Sequence, residues 1–490
     1  MDDLLEARLT KLQRLREAGI DPYPPRARRT HDAARARELA LAAGQDPPAD
    51  APLVAVCGRV MARRDMGRAT FVDLQDGSGR IQVLLRRNVL GEAAYDRFRL
   101  VDLGDIVGAE GIPMLTRTGE PTVEARSWTM LAKALHPPPE KYHGLADPEL
   151  RQRRRYLDLM ANEETRRTFR IRSAMVAAIR RFLDGRGFIE VETPVLQEVP
   201  GGAAAKPFVT HYDALDEDRY LRISLELYLK RLIVGGFDKV YELGRNFRNE
   251  GLGWKYNPEF TMLETYEAYA DYRDVARMVE EMIPAVAKEV LGSCIVQFRG
   301  HEISLEPPWR RITLHEALDD YAGIDLGKLR DRQSLAEELE RRGLEVDPRW
   351  SWAKLVDEAM SNYVEPHLIQ PTFLLDYPVE LSPLAKRKPE DPSLVERFEL
   401  FIGGLETGNA YTELNDPIEQ RQRFEEQLQL RAAGDEEAER LDEDFLFALE
   451  HGMPPTGGLG VGIDRLAMIL TGHTTIREVI LFPQLRRQKT

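Results

Sequence analysis

Cysteine is nearly absent from this chain, with Cys57 and Cys294 the only two in 490 residues. Two thiols exclude a disulfide framework and a cysteine cluster for structural zinc or an iron–sulfur centre, and a reducing, cytoplasmic compartment is expected. Long hydrophobic runs are missing too. No stretch approaches the ~18 consecutive apolar residues of a membrane helix. The N-terminal MDDLLEARLTKLQRLREAG is charged and amphipathic, without the apolar centre of a signal peptide, so neither insertion nor secretion is expected. Lysine is scarce, 13 of the 68 basic residues, which reads as compositional bias. Neither a GxxxxGK[ST] loop nor a GxGxxG fingerprint occurs, which removes the P-loop and dinucleotide-binding readings.

What is present is a chain long enough for about three domains at ~150 residues each, 43% hydrophobic and 31% charged. The net charge of −14 argues superficially against nucleic acid. Its distribution argues otherwise. Residues 1–160 hold 26 Lys and Arg against 23 Asp and Glu, and the remainder 42 against 59. A mildly basic front before an acidic remainder is what a polyanion docking near the front requires, although simple domain drift would look the same.

Leu4, Leu5, Leu9, Leu12 and Leu15 recur at helical spacing and predict an amphipathic helix, ended by Pro22, Pro24 and Pro25, with a second short helix over 31–43. Between 53 and 135 the pattern breaks into five short β-like runs, LVAVCGRVMA, RATFVDLQD, GRIQVLLRR, DIVGAEGIPML and PTVEARSWTML, separated by turns such as DGSG. Five strands in about 80 residues predict a small barrel of OB type. HPPPEKYHGLADPE reads as a linker, because three consecutive prolines continue neither helix nor sheet. The expected organisation is therefore a helical segment over 1–50, a barrel over 51–135, a linker over 136–150 and a second domain over 151–490. That domain opens on a long helix with Ile171, Met175, Ile179 and Phe182 on one face. Residues 310–370, with LAEELERRGLEV and WAKLVDEAMSNYV, read as a helical insertion.

Chemistry concentrates in separated segments of the second domain. GFIEVETPVL is a strand stopped by Pro194. YELGRNFRNEG carries Arg245, Arg248 and Glu250, and an extended strand would set Arg248 and Glu250 on one face, as part of a site or as a buried ion pair. In PEFTMLETYEAY, Phe260, Met262, Glu264 and Tyr266 alternate on one face, where an acid and a tyrosine break the apolar rule for a half-buried strand. In GGLGVGIDRLAMIL, Gly458, Gly460 and Gly462 strip one strand face of side chains, so that either a ligand or a packing corner comes close to the backbone; Arg465 follows at the start of a helix. Glu399, Glu406 and Glu413, seven residues apart in RFELFIGGLETGNAYTELND, are either solvent-facing acids on edge strands or cation ligands.

Strand-Pro, FRNE and GxGxGxDR, in this order and spacing, resemble motifs 1, 2 and 3 of class II aminoacyl-tRNA synthetases. PGGAAAKPFVTHYDALD, LYLKRLIVGGFDKVYELGRNFRNEG, NPEFTMLE and LTGHTTIREVILFP are similar to the lysyl-tRNA synthetases of bacterial type, over essentially the whole chain. The class I signatures HIGH and KMSKS are absent. The resemblance implies an α+β fold, with an N-terminal five-stranded OB-fold barrel that binds the anticodon and a catalytic antiparallel sheet flanked by helices, in a homodimer formed partly through motif 1. It implies a cytoplasmic enzyme that activates lysine with ATP and transfers it to the terminal adenosine of tRNA(Lys), with no membrane partner.

By motif correspondence, the resemblance places Arg248 on the α-phosphate and the lysine carboxylate, Arg465 on the γ-phosphate and Phe260 on adenine, with Glu250 orienting the motif 2 loop or meeting the adenine. Glu399 and Glu406 would hold Mg²⁺, about three ions per active site. An acidic pocket of Glu264 and Glu413 with the Tyr266 hydroxyl suits a terminal ammonium. Glu226 and the backbone of Gly202 would hold the α-amino group, with Asn409 near the carboxylate. On the barrel, Phe71 would stack on a base, unless it is a core residue, while Arg64 and Gln82 bond base edges. Tyr256 stands where many members have His, and Leu225 where others carry Pro. Aspartyl or asparaginyl specificity would set two glutamates against an acid or amide substrate. Ligases that lysylate a protein lack the barrel region, which this chain has, and a non-catalytic relative would not keep Arg248, Glu399, Glu406 and Arg465 together.

Overall fold

The computed structural model describes residues 2–139, 145, 147–432 and 438–487. The central part of the expected linker, 140–144 and 146, lies outside the described residues. Two compact units emerge, one from the described residues of 1–147 with 156–161, the other from those of 148–155 with 162–490. Residues 156–161 thus fall on the N-terminal side of the division, past the expected boundary at 150.

In the first unit all five expected runs are strands: β1 (Val54–Met66), β2 (Ala69–Gln75), β3 (Arg80–Arg86), β4 (Ile106–Leu115) and β5 (Pro121–Ala132). They close into a barrel in the order β1-β2-β3-β5-β4, as in an OB-fold. Alternate residues point inward, so that Val72, Leu74, Val83, Leu85 and Val123 form the core. Closure brings β4 and β5 so near that a Cβ on Gly111 would sit 2.0 Å from the Glu124 carbonyl oxygen. Helices α1 (Asp2–Glu17) and α2 (Ala33–Ala43) lend Leu15, Ala33 and Ala36 to the same core. Only part of the expected leucine face of α1 is covered, since Leu4 and Leu9 stay exposed while Leu12 and Leu15 are buried.

The predicted long helix of the second unit is broken by Asn162, whose side chain accepts from the Glu164 N–H and caps α3 (Glu163–Asp184). Ile171, Met175, Ile179 and Leu183 form its buried stripe, and Phe182, expected there, is half-exposed under Arg186. Beyond it lie β6 (Ile189–Glu190), α4 (Glu226–Val234), β7 (Lys239–Phe247), β8 (Glu259–Ala268) and α5 (Tyr272–Leu291). The expected insertion opens on β9 (Arg310–Thr313) and continues as α6 (Leu314–Ala322), α7 (Arg332–Arg341) and α8 (Trp352–Tyr363). Then follow β10 (Thr372–Pro378), β11 (Leu394–Ile402), β12 (Leu405–Thr412), α9 (Pro417–Ala432), α10 (Glu443–Glu450), β13 (Thr456–Gly462) and α11 (Ile463–Thr471).

Eight strands form one sheet in the order β9-β10-β11-β12-β13-β8-β7-β6, antiparallel except at its two ends, where β9 runs parallel to β10 and β6 to β7. Its faces differ. Leu263, Leu400, Ala410, Leu459 and Val461 point to one side, where Met175 and Ile179 of α3, Met282 and Ile283 of α5 and Leu466 and Ile469 of α11 cover them. The other side of β8, β11, β12 and β13 carries the polar residues and the glycines. The α+β architecture with an antiparallel catalytic-type sheet flanked by helices is the one expected.

Candidate functional site

The polar face of the sheet floors a cavity of about 520 Å³. Every residue expected to bind ATP, lysine or metal lines it: Gly202, Glu226, Arg248, Glu250, Phe260, Glu264, Tyr266, Glu399, Glu406, Asn409, Glu413 and Arg465. The three glycines of β13 explain how. Leu459 and Val461 face the helices, and the bare face receives side chains from neighbouring strands. A Cβ on Gly458 would lie 1.9 Å from Glu413 Oε1 and 2.7 Å from Tyr266 Cε1. At Gly458 the groups close to the bare backbone are the protein's own side chains, as a packing corner would have them, while Gly460 and Gly462 line the cavity.

One end of the cavity is acidic. Glu264 sits opposite Gly460 in the pairing of β8 with β13. Its Oε1 accepts from Ser224 Oγ and the Leu225 N–H, both at 3.0 Å, and its Oε2 from the Tyr266 hydroxyl at 3.1 Å. Burial, reinforced by the charge of Glu226, nonetheless pushes its carboxyl up to about 7. Glu413 is 1% exposed, and its Oε1 has no hydrogen-bond donor among the described residues. Lys230, fully buried on α4, ion-pairs with Glu226 at 2.6 Å and with Glu413. Burial works against the Lys230 cation, but the two glutamates outweigh it and hold the ammonium charged. One cation cannot neutralise two carboxylates, and burial with the remaining charge of Glu226 pushes Glu413 up to about 8. Leu225 supplies one of the N–H donors to Glu264, a bond proline cannot make.

The other end alternates acids with arginines. Arg397 donates to Glu399 Oε1 at 2.5 Å and to Asn409 Oδ1 at 3.2 Å. Arg465 bonds Glu406 Oε2 at 3.0 Å and the Glu406 carbonyl at 2.8 Å. Burial and the Glu406 charge push Glu399 up to about 7 against the pull of Arg397. Burial works against the Glu406 carboxylate too, but its side chain is more exposed and Arg465 holds it below the usual range. Arg248 lies 5.1 Å over the Phe260 ring and Arg465 5.7 Å from that of Tyr256. Strand β7 ends at Phe247, so Arg248 and Glu250 reach the cavity from a loop and not, as the extended spacing suggested, from one strand face.

Sequence reasoning missed four residues. Lys230 stands one helical turn after Glu226, a spacing that could have revealed the pair. Arg397 was hidden two residues before Glu399. Asp464 accepts from the Thr261 N–H at 2.7 Å and ion-pairs with Arg172 at 2.6 Å, tying α3, β8 and α11 together beside Arg465. Glu439, 237 residues from the Gly202 N–H that it accepts at 3.2 Å, left no sequence signal.

On the barrel, Arg64 is paired with Phe71 across β1 and β2, and Phe71 faces outward while Val72 and Leu74 enter the core. The core-residue reading of Phe71 is thereby excluded. Gln82, opposite Asp73 on the same face, is 7% exposed and its Oε1 already accepts from Thr122 at 2.9 Å. Among the described residues no group of three or more His, Cys, Asp and Glu is arranged to hold a metal by itself, and no helix is long and apolar enough to cross a membrane.

Residues 147–486 match the family described as tRNA synthetases class II (D, K and N), and residues 54–131 match the OB-fold nucleic acid binding domain. The chain is 53% identical over 488 residues to the Lysine--tRNA ligase of Pelotomaculum thermopropionicum, covering 99% of this chain and 95% of that protein. It is 54% identical to the Lysine--tRNA ligase of Dehalococcoides mccartyi over 98% of this chain and 96% of that protein. With that of Chloroflexus aurantiacus it shares 53% over 100% of this chain and 99% of the relative.

Proposed function

The chain belongs to the class II tRNA synthetases of the D, K and N group, and from that premise we infer that it is a lysine–tRNA ligase. It joins lysine to ATP as lysyl-adenylate with release of pyrophosphate, then transfers the lysyl group to the terminal adenosine of tRNA(Lys). The observation that carries the choice of lysine is the buried Glu413 Oε1, which has no donor among the described residues and stands in a pocket where Glu226, Glu264 and Glu439 add further carboxylates. A substrate ammonium supplies the missing donor, whereas a substrate carboxylate or amide oxygen would face repulsion.

Neither step needs a protein nucleophile. A lysine carboxylate oxygen attacks the α-phosphorus and the bond to the β-phosphate breaks; a tRNA hydroxyl then attacks the acyl carbon and AMP leaves. The protein's part is alignment and charge stabilisation. Arg248, placed over Phe260, would meet the α-phosphate and the lysine carboxylate, Phe260 the adenine and Arg465 the γ-phosphate, with Glu250 ordering the loop. Glu226, the Gly202 backbone and Asn409 would hold the α-amino and carboxyl groups, and Glu264, Tyr266 and Glu413 the side-chain ammonium. Glu399 and Glu406 fit Mg²⁺ as a pair of cavity-lining carboxylates whose mutual repulsion a cation relieves, the remaining ligands being phosphate oxygens. When bound, the ion would neutralise phosphate charge; about three ions per site is the family expectation.

The outward Arg64 and Phe71 support the barrel as the anticodon reader, whereas Gln82 is buried and its Oε1 is taken by Thr122. The exposed Ile189 on the edge strand β6, with Val195 and Leu196, supports a homodimer through motif 1. A cytoplasmic site of action completes the reading, and so does the expected organisation into barrel, linker and catalytic domain with its insertion. The test is amino-acid-dependent exchange of pyrophosphate into ATP. Lysine is expected to drive it and aspartate and asparagine not; exchange with either of those but not with lysine would overturn the assignment.

A further inference from the structure

Glu439, a buried acid of the cavity lining, is left without a part by the ligation reaction. It stands just before α10, is 5% exposed and lines the acidic end of the cavity. Its backbone N–H donates to Gln427 Oε1 of α9 at 3.4 Å, and its Oε2 accepts the Gly202 N–H at 3.2 Å. The dipeptide it grips runs between two walls. A Cβ on Gly201 would lie 2.7 Å from Leu227 Cδ1 and 3.3 Å from Glu439 Oε2. One on Gly202, whose φ is +85°, would lie 3.0 Å from both Glu226 Cβ and Ser224 Oγ. Two adjacent glycines are therefore required, and Glu439 and the start of α4 bear on them from different sides. Glu226, which bears on the same dipeptide, is committed to Lys230. Burial first, and then the charge of Glu226, pushes Glu439 up to about 8, against the N–H groups of Gly202 and Ala203 and the Lys230 cation. An acid kept in so unfavourable a place beside a second acid is explained by what it holds.

We propose that Glu439 is a positioning residue for the amino-acid substrate, fixing the Gly201–Gly202 backbone as the wall of the subsite for the α-amino group. It governs affinity for that end of the substrate and leaves chemistry at the phosphates unaffected. The proposal deepens the lysine-ligase reading and rests on it.

The experiment uses the full chain in lysine-dependent pyrophosphate exchange, with 6-aminohexanoate, which has the terminal ammonium and the carboxylate but no α-amino group, as a competitive probe. Glu439→Met keeps the volume and removes the acceptor. It is expected to raise the KM for lysine about tenfold, the cost of leaving the buried Gly202 N–H without its acceptor. The same variant is expected to keep kcat, the KM for ATP and inhibition by 6-aminohexanoate within about twofold of the parent. Glu439→Gln retains an oxygen acceptor and is expected to stay within about threefold of the parent KM for lysine. An unchanged lysine KM in the Met variant, an equal loss of 6-aminohexanoate inhibition, or a loss in the Gln variant as large as in the Met variant would each overturn the proposal. Should the Met variant not fold, the Gln variant decides alone, since a role through charge predicts a large loss there. Failure of the parent chain to exchange with lysine would sink the ligase reading instead, and is thus distinguishable.

Discussion

The two ends of the cavity are built from the same kinds of side chain and reach opposite electrostatic balances. At the phosphate end, Glu399 and Glu406 each have an arginine at hydrogen-bond distance. At the amino-acid end, Glu226 and Glu413 share the buried cation Lys230, and Glu264, Glu413 and Glu439 are pushed up to about 7, about 8 and about 8. An arginine-rich end is prepared for phosphate oxygens; an end with more carboxylates than cations is incomplete until a cation enters. On the proposed reading, selectivity comes from crowding carboxylates that only protons or an entering cation can balance.

Removing the cation of the phosphate end is the severest way to test this division. Arg465→Ala is expected to lower kcat of exchange by roughly 10²–10³-fold, while lysine binding measured calorimetrically without ATP stays as in the parent. If lysine binding fell with it, the ends would not be separable. Next in size, Glu413→Gln is expected to raise the KM for lysine roughly ten- to hundredfold with the KM for ATP unchanged. A parallel rise in the ATP value would mean that the side-chain pocket is misplaced.

The smallest effect is in pH. Glu264 and Glu413 titrate near 7 and 8 in the folded protein against 4.5 unperturbed. The ligand-free site therefore holds protons there that a cationic lysine expels, and lysine binding tightens a few-fold as pH rises through that window. The same raised acids bind more protons folded than unfolded between 4.5 and about 8, so the ligand-free protein is expected to lose thermal stability as pH rises through this range, and lysine to restore it. A flat lysine affinity from pH 6.5 to 8.5 would count against the uncompensated end.

Much of this was legible in the residues. The period-2 alternation of PEFTMLETYEAY put Phe260, Met262, Glu264 and Tyr266 on one face, and that face is the cavity floor. The alternating glycines of β13 announced close approach to a backbone. Period and composition suffice there because a strand has only two faces and one of them must be covered by helices. The loop after β7 was misread because periodicity stops carrying information where the strand ends. The break at Asn162 went unnoticed because capping competes with an otherwise helical pattern.

The sequence by itself determined the family, the barrel, the two-faced sheet and many of the side chains that line the cavity, since these follow from motif order and local periodicity. What it could not contain is how those charges are balanced. That Lys230 serves both Glu226 and Glu413, that Arg465 is held by Glu406, and that Glu439 reaches across 237 residues to Gly202 depend on which strands lie side by side and on what is excluded from water. Desolvation and pairing act through space, and a buried acid reads in sequence like an exposed one until tertiary structure decides its neighbours.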